Sequence, residues 1–294
     1  MAIVRYTASA DTTITNAFEA NLRLRGTGSN MGYADSLEIF SIYGQSSGST
    51  TGQSQELARA LIQFPISTIS SSRGAGNIPA SGSVSFYLRM FNARTPWTLP
   101  QGFNLVLAPV SRSWAEGTGL DMDNYQDFGS ANWSKSDDST FWTSIGGDYL
   151  TASNYNVAFP LGYEDIELDV SHIVEEWIKY DHLSATSIGV INNYGFGIHL
   201  TASQEAYYSS STGQDTSVLI DNIQGAQESY YTKKFFARST EFFFKRPLLE
   251  ARWDSRIMDN RENVYYSSSL APAADNLSTL YLYNYVRGRL VNIP

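Results

Sequence analysis

The segment at residues 159–178 constrains the fold most, because a strand pattern passes into a helix pattern with no loop between them. Apolar and acidic residues alternate over residues 165–170, which predicts a strand with one buried and one wet face. Apolar residues then recur at helical spacing at Val170, Ile173, Val174, Trp177 and Ile178. The Ser171 hydroxyl can cap such a helix. We therefore predict a strand that leads directly into a short helix at about residues 170–180.

Eight further segments have the alternation or the apolar composition that is typical of strands: residues 36–43, 59–66, 83–91, 103–110, 187–192, 196–202, 232–237 and 248–253. Clusters rich in Gly and Ser at residues 44–54 and 70–82 predict exposed loops without a packed element. The composition agrees, since 42% of the residues are apolar, 17% are charged and 22 are Gly. The chain is therefore expected to be all-β, with most strands joined by loops.

The pattern changes after Trp253. Tyr281, Tyr283 and Tyr285 alternate with Leu and Val, which predicts a strand that is apolar on both faces. Such a strand needs a partner surface on each side, so these three tyrosines are candidate assembly contacts. We predict a β-sandwich domain at residues 1–253 and, at residues 254–294, a C-terminal extended arm or the start of a further domain.

Several classes of protein are disfavoured by composition. The chain contains no Cys, which removes disulfides and thiolate metal sites and fits folding in a reducing compartment. No apolar run approaches the roughly 18 residues of a membrane span, so no membrane partner is expected. The first residues also lack the apolar segment of a secretory signal, and the chain is expected to stay on the cytosolic side of the membrane.

The charge is unevenly distributed. Residues 121–181 hold 13 acidic residues and two Lys, a net charge of −11 within a chain of −9. Such a surface repels phosphate backbones, so no nucleic acid is expected as a partner. It is either a hydrated face or a surface for a cation or a basic protein neighbour. A basic cluster on late strands can be hydrated too, or can meet the acidic surface of a second copy; its members are Lys233, Lys234, Arg238, Lys245 and Arg246.

Six sequence blocks follow one another in an order that is more specific than any one block. They are Ala-Asp-Thr-Thr-Ile at 10–14, Asn-Met-Gly at 30–32 with Leu-Glu-Ile at 37–39, Ala-Leu-Ile-Gln-Phe-Pro-Ile at 60–66, Pro-Val-Ser-Arg-Ser-Trp-Ala-Glu-Gly at 109–117, Leu-Asp-Val-Ser at 168–171 with Val174 and Trp177, and Pro-Leu-Leu-Glu-Ala at 247–251. In this order they resemble the DNRLRE-type modules, which are related to carbohydrate-binding modules. The resemblance covers residues 10–253 and implies a jelly-roll-like antiparallel β-sandwich.

Taken as a whole, with its Met-Ala-Ile start and its Tyr-rich tail, the chain also resembles virion structural proteins of tailed phages, especially those of marine cyanobacteria. That resemblance implies a non-enzymatic component that decorates the head, neck or tail and acts through protein-protein contacts. The expected partners are other virion proteins and further copies of the chain. The expected location is the virion, which is assembled in the host cytoplasm.

An alternative function is carbohydrate binding, for adsorption to a polysaccharide of the host surface. Trp97, Trp133 and Trp142 lie in predicted loops among Asn, Ser and Asp, and exposed aromatic faces beside such groups suit stacking on sugars. These tryptophans are the candidate ligand-binding residues. Large aromatic side chains can equally fix long loops to a sandwich without any ligand.

An enzyme is the third class considered, and we predict that the chain is not one. His172, His182 and His199 have no recognisable catalytic setting, so structural roles are expected for them. The acidic residues Glu116, Glu164 and Asp165 could serve a polysaccharide-cleaving enzyme, but they lie in blocks that the fold explains.

Residues 121–127 resemble the first half of a calcium loop, with oxygens at positions 1, 3 and 7. Position 6 is Gln126, where such a loop needs Gly, and position 12 is Asn132, where it needs Glu. A hydrated acidic loop is therefore preferred. We predict no metal and no cofactor.

Overall fold

A computed structural model of the chain describes residues 2–45, 53–95, 100–125, 127–183, 191–211, 217–256, 284–286 and 289–291. The strands are β1 (Ala2–Thr7), β2 (Ala10–Thr15), β3 (Ser36–Gln45), β4 (Gln53–Gln63), β5 (Ser85–Met90), β6 (Phe103–Pro109), β7 (Tyr155–Phe159), β8 (Ile166–Asp169), β9 (Phe196–Leu200), β10 (Tyr230–Phe236), β11 (Leu248–Trp253), β12 (Asn284–Val286) and β13 (Arg289–Val291). The α-helices are α1 (Ile66–Gly74) and α2 (Ser171–Leu183). α1 and α2 are the α-helices of the described residues, and neither has the length and apolar character needed to cross a bilayer.

Contacts divide the chain into two units. The larger is Ile3–Arg252, and the smaller consists of Met1–Ala2 and Trp253–Pro294. Within the smaller unit, β12 and β13 form a two-stranded antiparallel sheet. The predicted division after Trp253 into a domain and an arm stays a prediction, and residues 257–283 lie outside the described residues.

Two antiparallel sheets form the fold. One has the strand order β1-β11-β5-β8, and the other has the order β10-β3-β4-β9-β6-β7, with β2 paired to the second half of β4. The larger sheet is curled. β7 and β10 stand at opposite ends of its strand order, yet the ring centroids of Phe159 on β7 and Phe235 on β10 lie only 6.2 Å apart. The prediction of an all-β antiparallel sandwich with a short helix is confirmed.

The step from strand to helix occurs where the sequence predicts it. β8 pairs with β5 and ends at Asp169, and α2 begins at Ser171. The buried residues of this helix are those of the predicted apolar stripe, and the Trp177 ring packs on Phe196 with the ring centroids 4.7 Å apart. The Ser171 hydroxyl has a different role from the predicted cap, since it accepts a hydrogen bond from the Phe86 N–H of β5 at 2.7 Å. The helix is thereby joined to the smaller sheet.

The prediction of an exposed loop without a packed element at residues 70–82 is wrong in its first part, which belongs to α1. Ile66 and Ile69 of this helix are buried. The Arg73 guanidinium donates two hydrogen bonds to the Glu175 carboxylate of α2, at 2.8 and 2.6 Å. Ser-rich sequence has low helix propensity, so these tertiary contacts decide the conformation.

Most predicted strands exist with small shifts of their ends. Residues 36–43, 83–91, 103–110, 196–202, 232–237 and 248–253 overlap β3, β5, β6, β9, β10 and β11. The predicted strand at residues 59–66 overlaps β4, which begins earlier, at Gln53 inside the predicted loop at residues 44–54, and ends at Gln63. β1 and β7 were not predicted. Of the predicted strand at residues 187–192, residues 187–190 lie outside the described residues.

The chain that leaves β5 joins the edge of the larger sheet. The Ala93 N–H donates to the Lys234 carbonyl at 2.9 Å, and the Phe236 N–H donates to the Phe91 carbonyl at 3.1 Å. Residues 91–93 therefore lie beside β10. They connect the two sheets both through the covalent chain and through backbone hydrogen bonds.

Both faces of the larger sheet are buried. On β4, Ala58, Ala60 and Ile62 point to one face, and Arg59 and Leu61 point to the other, and all five are less than 8% exposed. The second face is covered by the described parts of residues 111–154 and 202–222. These segments form a second apolar core against the sheet, which contains Ile14, Leu57, Leu61, Val110, Ala131, Trp133 and Trp142, with Trp114, Ile145, Tyr149, Tyr194 and Ile220 packed against it.

Candidate functional site

The tryptophans predicted to bind sugars belong to this second core. Trp133 is 0% exposed and Trp142 is 5% exposed, so the expectation of exposed faces is wrong for both. The Trp133 Nε1–H donates to the Val218 carbonyl at 2.9 Å, and the Trp142 Nε1–H donates to the Asn132 carbonyl at 2.8 Å. Both indoles fix loops to the sheet, which is the alternative that the sequence left open. Trp97 lies outside the described residues.

The candidate assembly residues are only partly described. Tyr281 and Tyr283 lie outside the described residues, and Tyr285 is in β12, where it is 61% exposed. Tyr285 pairs across the hairpin with Leu290. An assembly contact at these tyrosines stays a prediction.

The predicted basic cluster is largely engaged within the chain. Lys233 is buried, and its ammonium donates to the Asn92 side chain at 2.7 Å and to the carbonyls of Gly162 and Glu164 at 3.1 and 2.8 Å. Burial lowers the pKa of Lys233 to about 8. Lys234 pairs with the Glu38 carboxylate. The cluster is therefore not one free basic face that is available to a second copy.

Arg238, Lys245 and Arg246 are engaged as well. Arg238 pairs with Glu116 at 2.7 Å, and the Arg246 guanidinium donates to the Thr240 carbonyl at 3.1 Å. The Lys245 ammonium lies 5.3 Å from the centre of the Phe91 ring. Each of these cations is thus held at the surface of its own chain.

The half calcium loop is stabilised by its own backbone. The Asp121 Oδ1 accepts hydrogen bonds from the N–H groups of Asp123, Asn124 and Tyr125, at 2.8, 2.7 and 3.0 Å. These bonds, first that from the Tyr125 N–H, lower the pKa of Asp121. In the described part of the chain, no group of three or more His, Cys, Asp or Glu side chains is arranged to hold a metal ion. The loop has the form of a self-capped acidic turn.

A cleft of about 710 Å³ opens on the loop-covered face of the larger sheet. Its floor comes from β4, β6 and β9, and its walls come from the segments that carry the second core. The side chains that give it chemical character are Arg59, Arg112, Asp148, Tyr149, His199 and Glu205. We refer to it as the sheet cleft.

A buried ion pair lies at the base of the sheet cleft. The Arg59 guanidinium donates from Nε and Nη2 to the two carboxylate oxygens of Glu205, at 2.9 and 2.7 Å, and from Nη1 to the Gly146 carbonyl at 3.0 Å. Burial opposes the charge of Arg59, but the Glu205 carboxylate outweighs it and the pKa is raised. The guanidinium is therefore permanently charged, with its main donors occupied.

Two aromatic rings lie beside this pair. The Tyr149 ring packs directly on Gly197, where a Cβ atom would come within 2.0 Å of it, and its centroid is 5.1 Å from that of His199. Burial raises the pKa of Tyr149 to about 12. Burial and the nearby Arg59 charge lower the pKa of His199. Both rings are thus neutral at pH 7.

The hydrogen bonds of the ring atoms are also defined. The Tyr149 hydroxyl donates to the Gly146 carbonyl at 2.7 Å. The His199 Nδ1 is 2.7 Å from the Leu200 carbonyl, which can only accept, so Nδ1 carries the proton. In the neutral ring, Nε2 is then an acceptor.

The rim of the sheet cleft holds a second ion pair. The Arg112 Nε donates to the Asp148 carboxylate at 2.9 Å, and this carboxylate also accepts the N–H groups of Thr143 and Ser144, each at 2.9 Å. These hydrogen bonds outweigh the effect of burial and lower the pKa of Asp148. Asp148 and Arg59 keep their ordinary charges, and Tyr149 and His199 are neutral. The sheet cleft therefore presents hydrogen-bonding groups for a ligand, and among them the neutral His199 can also accept a proton.

The acidic residues considered for catalysis have separate structural partners. The Glu116 carboxylate accepts two hydrogen bonds from Arg238, at 2.9 and 2.7 Å, and one from the Asp11 N–H at 2.9 Å. A Glu164 oxygen accepts the Leu161 N–H, and an Asp165 oxygen accepts the Asn92 N–H, each at 2.7 Å.

His172 and His199 are likewise not brought together. His172 is exposed on the first turn of α2, and His199 lines the sheet cleft. The side chain of His182 lies outside the described residues. A structural role was predicted for His199, but its position in the sheet cleft also allows it to contact a ligand.

Asp11 is a buried acidic residue whose surroundings disfavour its charged form. It is 1% exposed, its Oδ2 accepts the Arg238 N–H at 2.6 Å, and its Oδ1 has no hydrogen-bond partner among the described residues. Burial raises the pKa of Asp11 to about 7, assisted by the negative charge of Glu116 and opposed by Arg238. The hydrogen bonds among Asp11, Glu116 and Arg238 join β2 to the segment after β6 and to the end of β10.

A comparison of the sequence with models of known protein families and with curated proteins finds no match. The site must therefore be judged from its own residues. The sequence does indicate that Arg59 is unusual, because it is the one charged residue within the apolar run Leu-Ala-Arg-Ala-Leu-Ile of β4. A charge in a strand that is buried on both faces requires a buried partner. Nothing in the local sequence of Glu205 or Tyr149 identifies them as its neighbours.

The burial of Trp133 predicts a stability effect. Trp133→Ala should lower the free energy of unfolding by about 3–5 kcal/mol, since it leaves a cavity and removes one of the two hydrogen bonds that the Val218 carbonyl accepts, the other coming from the Asn16 side chain. Phe141→Ala is the matched control, because Phe141 is 64% exposed, and it should change stability by about 0.5 kcal/mol or less. Urea unfolding followed by tryptophan fluorescence and by circular dichroism measures both. Equal, small effects would show that Trp133 is not part of a packed core.

Asp11 predicts a pH dependence of stability. Its pKa rises from 3.8 in the unfolded chain to about 7 in the folded chain, so unfolding releases a proton between these values and stability falls as the pH rises through this window. From pH 5 to pH 8, the wild type should lose about 2.5 kcal/mol more than Asp11→Asn. Urea unfolding at the two pH values tests this. Parallel pH profiles of the two proteins would contradict the raised pKa.

Proposed function

We propose that the chain is a non-enzymatic structural protein of a tailed-phage virion, which decorates the head, neck or tail and acts through protein-protein contacts. Its partners are further copies of the chain and other virion proteins. The resemblance of the whole sequence motivates the proposal. The observation that carries it is an exposed run of three aromatic side chains.

Phe242, Phe243 and Phe244 form this aromatic surface, and they are 44%, 75% and 58% exposed. They lie at a 3₁₀ turn, Phe243–Lys245, directly before β11. The Phe243 and Phe244 rings meet edge to face, with centroids 5.6 Å apart, and Phe242 packs on Phe236 at 5.7 Å. The rings therefore support one another in an exposed position.

Exposed aromatic side chains of this kind favour association. Removing apolar surface from water contributes about 25 cal/mol per Å², and a contiguous patch of large apolar groups is typical of interaction sites. Aromatic residues are also enriched among those that dominate binding energy at interfaces. In the sheet cleft, the pairing of Arg59 with Glu205 and of Arg112 with Asp148 supports the non-enzymatic part of the proposal, since these charged groups are already engaged with one another.

The contact is tested with the double variant Phe243→Ser and Phe244→Ser. Sedimentation velocity of the full chain should show an oligomer whose dissociation constant rises at least about tenfold in the variant, because the two rings supply the buried apolar area. The unfolding midpoint should stay within a few degrees of the wild type, since both side chains are exposed.

The matched control is the double variant Phe128→Ser and Phe141→Ser, which removes two rings of similar exposure elsewhere on the chain. It should leave the oligomer intact. A wild type that stays monomeric at all concentrations would overturn the self-association. Immunogold labelling of purified particles tests the virion location, and intact particles that lack the chain would refute it.

Carbohydrate binding is the second candidate function. The site that we propose for it is the sheet cleft, because Trp133 and Trp142 are buried. What favours it is a cleft of suitable size with two neutral rings, Tyr149 and His199, beside hydrogen-bonding groups. Sugar rings stack on such faces, and their hydroxyl groups can use the His199 Nε2 acceptor.

This candidate is tested by affinity electrophoresis in gels that contain host surface polysaccharide. His199→Ala should abolish the retardation of the protein, whereas His172→Ala, on the exposed side of α2, should retain it. The thermal unfolding of both variants is the control for folding. If the wild type migrates equally with and without polysaccharide, this function is excluded for that glycan.

A further inference from the structure

The larger sheet ends in a strand, β7, whose outer side is unpaired. β7 stands last in the strand order of this sheet and, within the described chain, pairs with β6 alone. Its sequence, Tyr-Asn-Val-Ala-Phe, carries no charge. Natural proteins usually protect such an edge with charged side chains, Pro or a bulge, because its free backbone groups are a template for another strand. We refer to the outer side of this strand as the β7 edge.

The alternation of hydrogen bonds in the sheet shows which backbone groups of β7 are used internally. The Thr201 N–H, directly after β9, donates to the Asn104 carbonyl of β6 at 3.3 Å, so the even-numbered residues of β6 face β9. The odd-numbered residues of β6 therefore face β7, where their partners are Tyr155, Val157 and Phe159. These three residues of β7 thus direct their N–H and C=O groups into the sheet.

The other two residues of the strand direct their backbone groups outward. They are Asn156 and Ala158, and both are exposed. The β7 edge therefore offers two N–H donors and two carbonyl acceptors in alternation. Pro160, directly after the strand, has no N–H, so the run of outward donors ends there.

The β7 edge lies in an uncharged stretch of the acidic part of the chain. Residues 149–163 contain no charged side chain, whereas residues 121–181 as a whole have a net charge of −11. Leu161 and Tyr163 follow the strand and are 47% and 56% exposed. Two acidic chains can therefore approach one another here without like charges in contact, and apolar side chains adjoin the contact.

Other edges of the two sheets are less suited to strand addition. β10 is covered by residues 91–93 of its own chain. β8 carries the exposed Glu167 and Asp169, and β1 carries the exposed Arg5. Pairing either of these strands with its own copy would bring like charges together, which is unfavourable across a strand pair.

We propose that the β7 edge pairs with the β7 edge of a second copy of this chain, antiparallel about a two-fold axis. In the register centred on Val157, Asn156 of each copy lies opposite Ala158 of the other, so all the outward groups form hydrogen bonds and the contact has four of them. Val157 then lies opposite Val157 of the second copy, a β-branched pair that stabilises neighbouring strands. The two larger sheets continue into each other.

The first experiment is cross-linking of the full chain, which contains no Cys of its own. In Ala158→Cys, the thiols of the two copies lie on one face and diagonally across the strand pair, roughly 7–8 Å apart. A bismaleimide of similar span should link this variant into dimers on a denaturing gel. Ala75→Cys, directly after α1 and also exposed, is the matched control. It should react at least about tenfold more slowly, because its partner thiol is not held nearby.

Asn156→Pro tests the strand pairing itself. It removes an outward N–H that has no partner within the described chain, and its ring occupies the place of the second copy's strand. Cross-linking through Ala158→Cys should then fall to the level of the control. In sedimentation velocity without the added Cys, the dissociation constant of the dimer should rise at least about tenfold. The unfolding midpoint should stay within a few degrees of the wild type.

Ala158→Glu is a second variant for the case in which Asn156→Pro does not fold. Its side chain is exposed in the single chain, but in the dimer it would bring two carboxylates roughly 7–8 Å apart. The dissociation constant should therefore rise in this variant as well.

The contact at the β7 edge is separate from the one proposed at Phe243 and Phe244 and does not rest on it. Cross-linking of Ala158→Cys should be unchanged when Phe243→Ser and Phe244→Ser are added. Loss of the cross-link in that variant would show that it reports the phenylalanine contact, which would overturn the present proposal. The proposal would also be overturned if Ala158→Cys reacted no faster than Ala75→Cys, or if dimers persisted at the wild-type level in a folded Asn156→Pro or Ala158→Glu chain.

Discussion

The buried ion pair of Arg59 and Glu205 connects parts of this structure that are distant in the sequence. Arg59 lies on the central strand β4, Glu205 follows β9, and the third Arg59 contact, the Gly146 carbonyl, belongs to the long segment before β7. The same guanidinium lies 5.4 Å from the Trp133 ring centre, within the second core. A buried pair of this kind is not a large net source of stability, because desolvation offsets much of the attraction, but either charge alone would be strongly unfavourable. The pair therefore specifies one arrangement of both loop segments on the sheet.

That arrangement changes what the aromatic residues do. A sandwich with one hydrated face would leave loop tryptophans free for a ligand, whereas here the second face of the larger sheet has a core of its own. Trp133 and Trp142 close that core. The groups left for binding are the rings and polar atoms at its border, Tyr149 and His199 at the sheet cleft.

The sequence predicts elements whose pattern is local. The alternation in β5 and the change of period between β8 and α2 are decided by neighbouring residues, and both are present in the structure. α1 could not be predicted, because its Ser-rich sequence becomes a helix only through contacts such as Arg73 with Glu175. The role of the tryptophans was missed for a similar reason. Asn, Ser and Asp around Trp133 indicate exposure, but these side chains satisfy turns while the indole points to the sheet. The sheet cleft depends on residues more than one hundred positions apart, which no local pattern shows.

The backbone of residues 91–93 beside β10 has a consequence for how copies of this chain can meet. An unprotected edge strand is a template for strand addition, in which one sheet continues into another chain. At β10 the outward amide and carbonyl groups already bond to Phe91 and Ala93 of the same chain. Growth of the sheet by a foreign strand at this edge would first require that internal connection to be broken. Contacts that another copy makes at this edge must therefore use side chains and not strand addition.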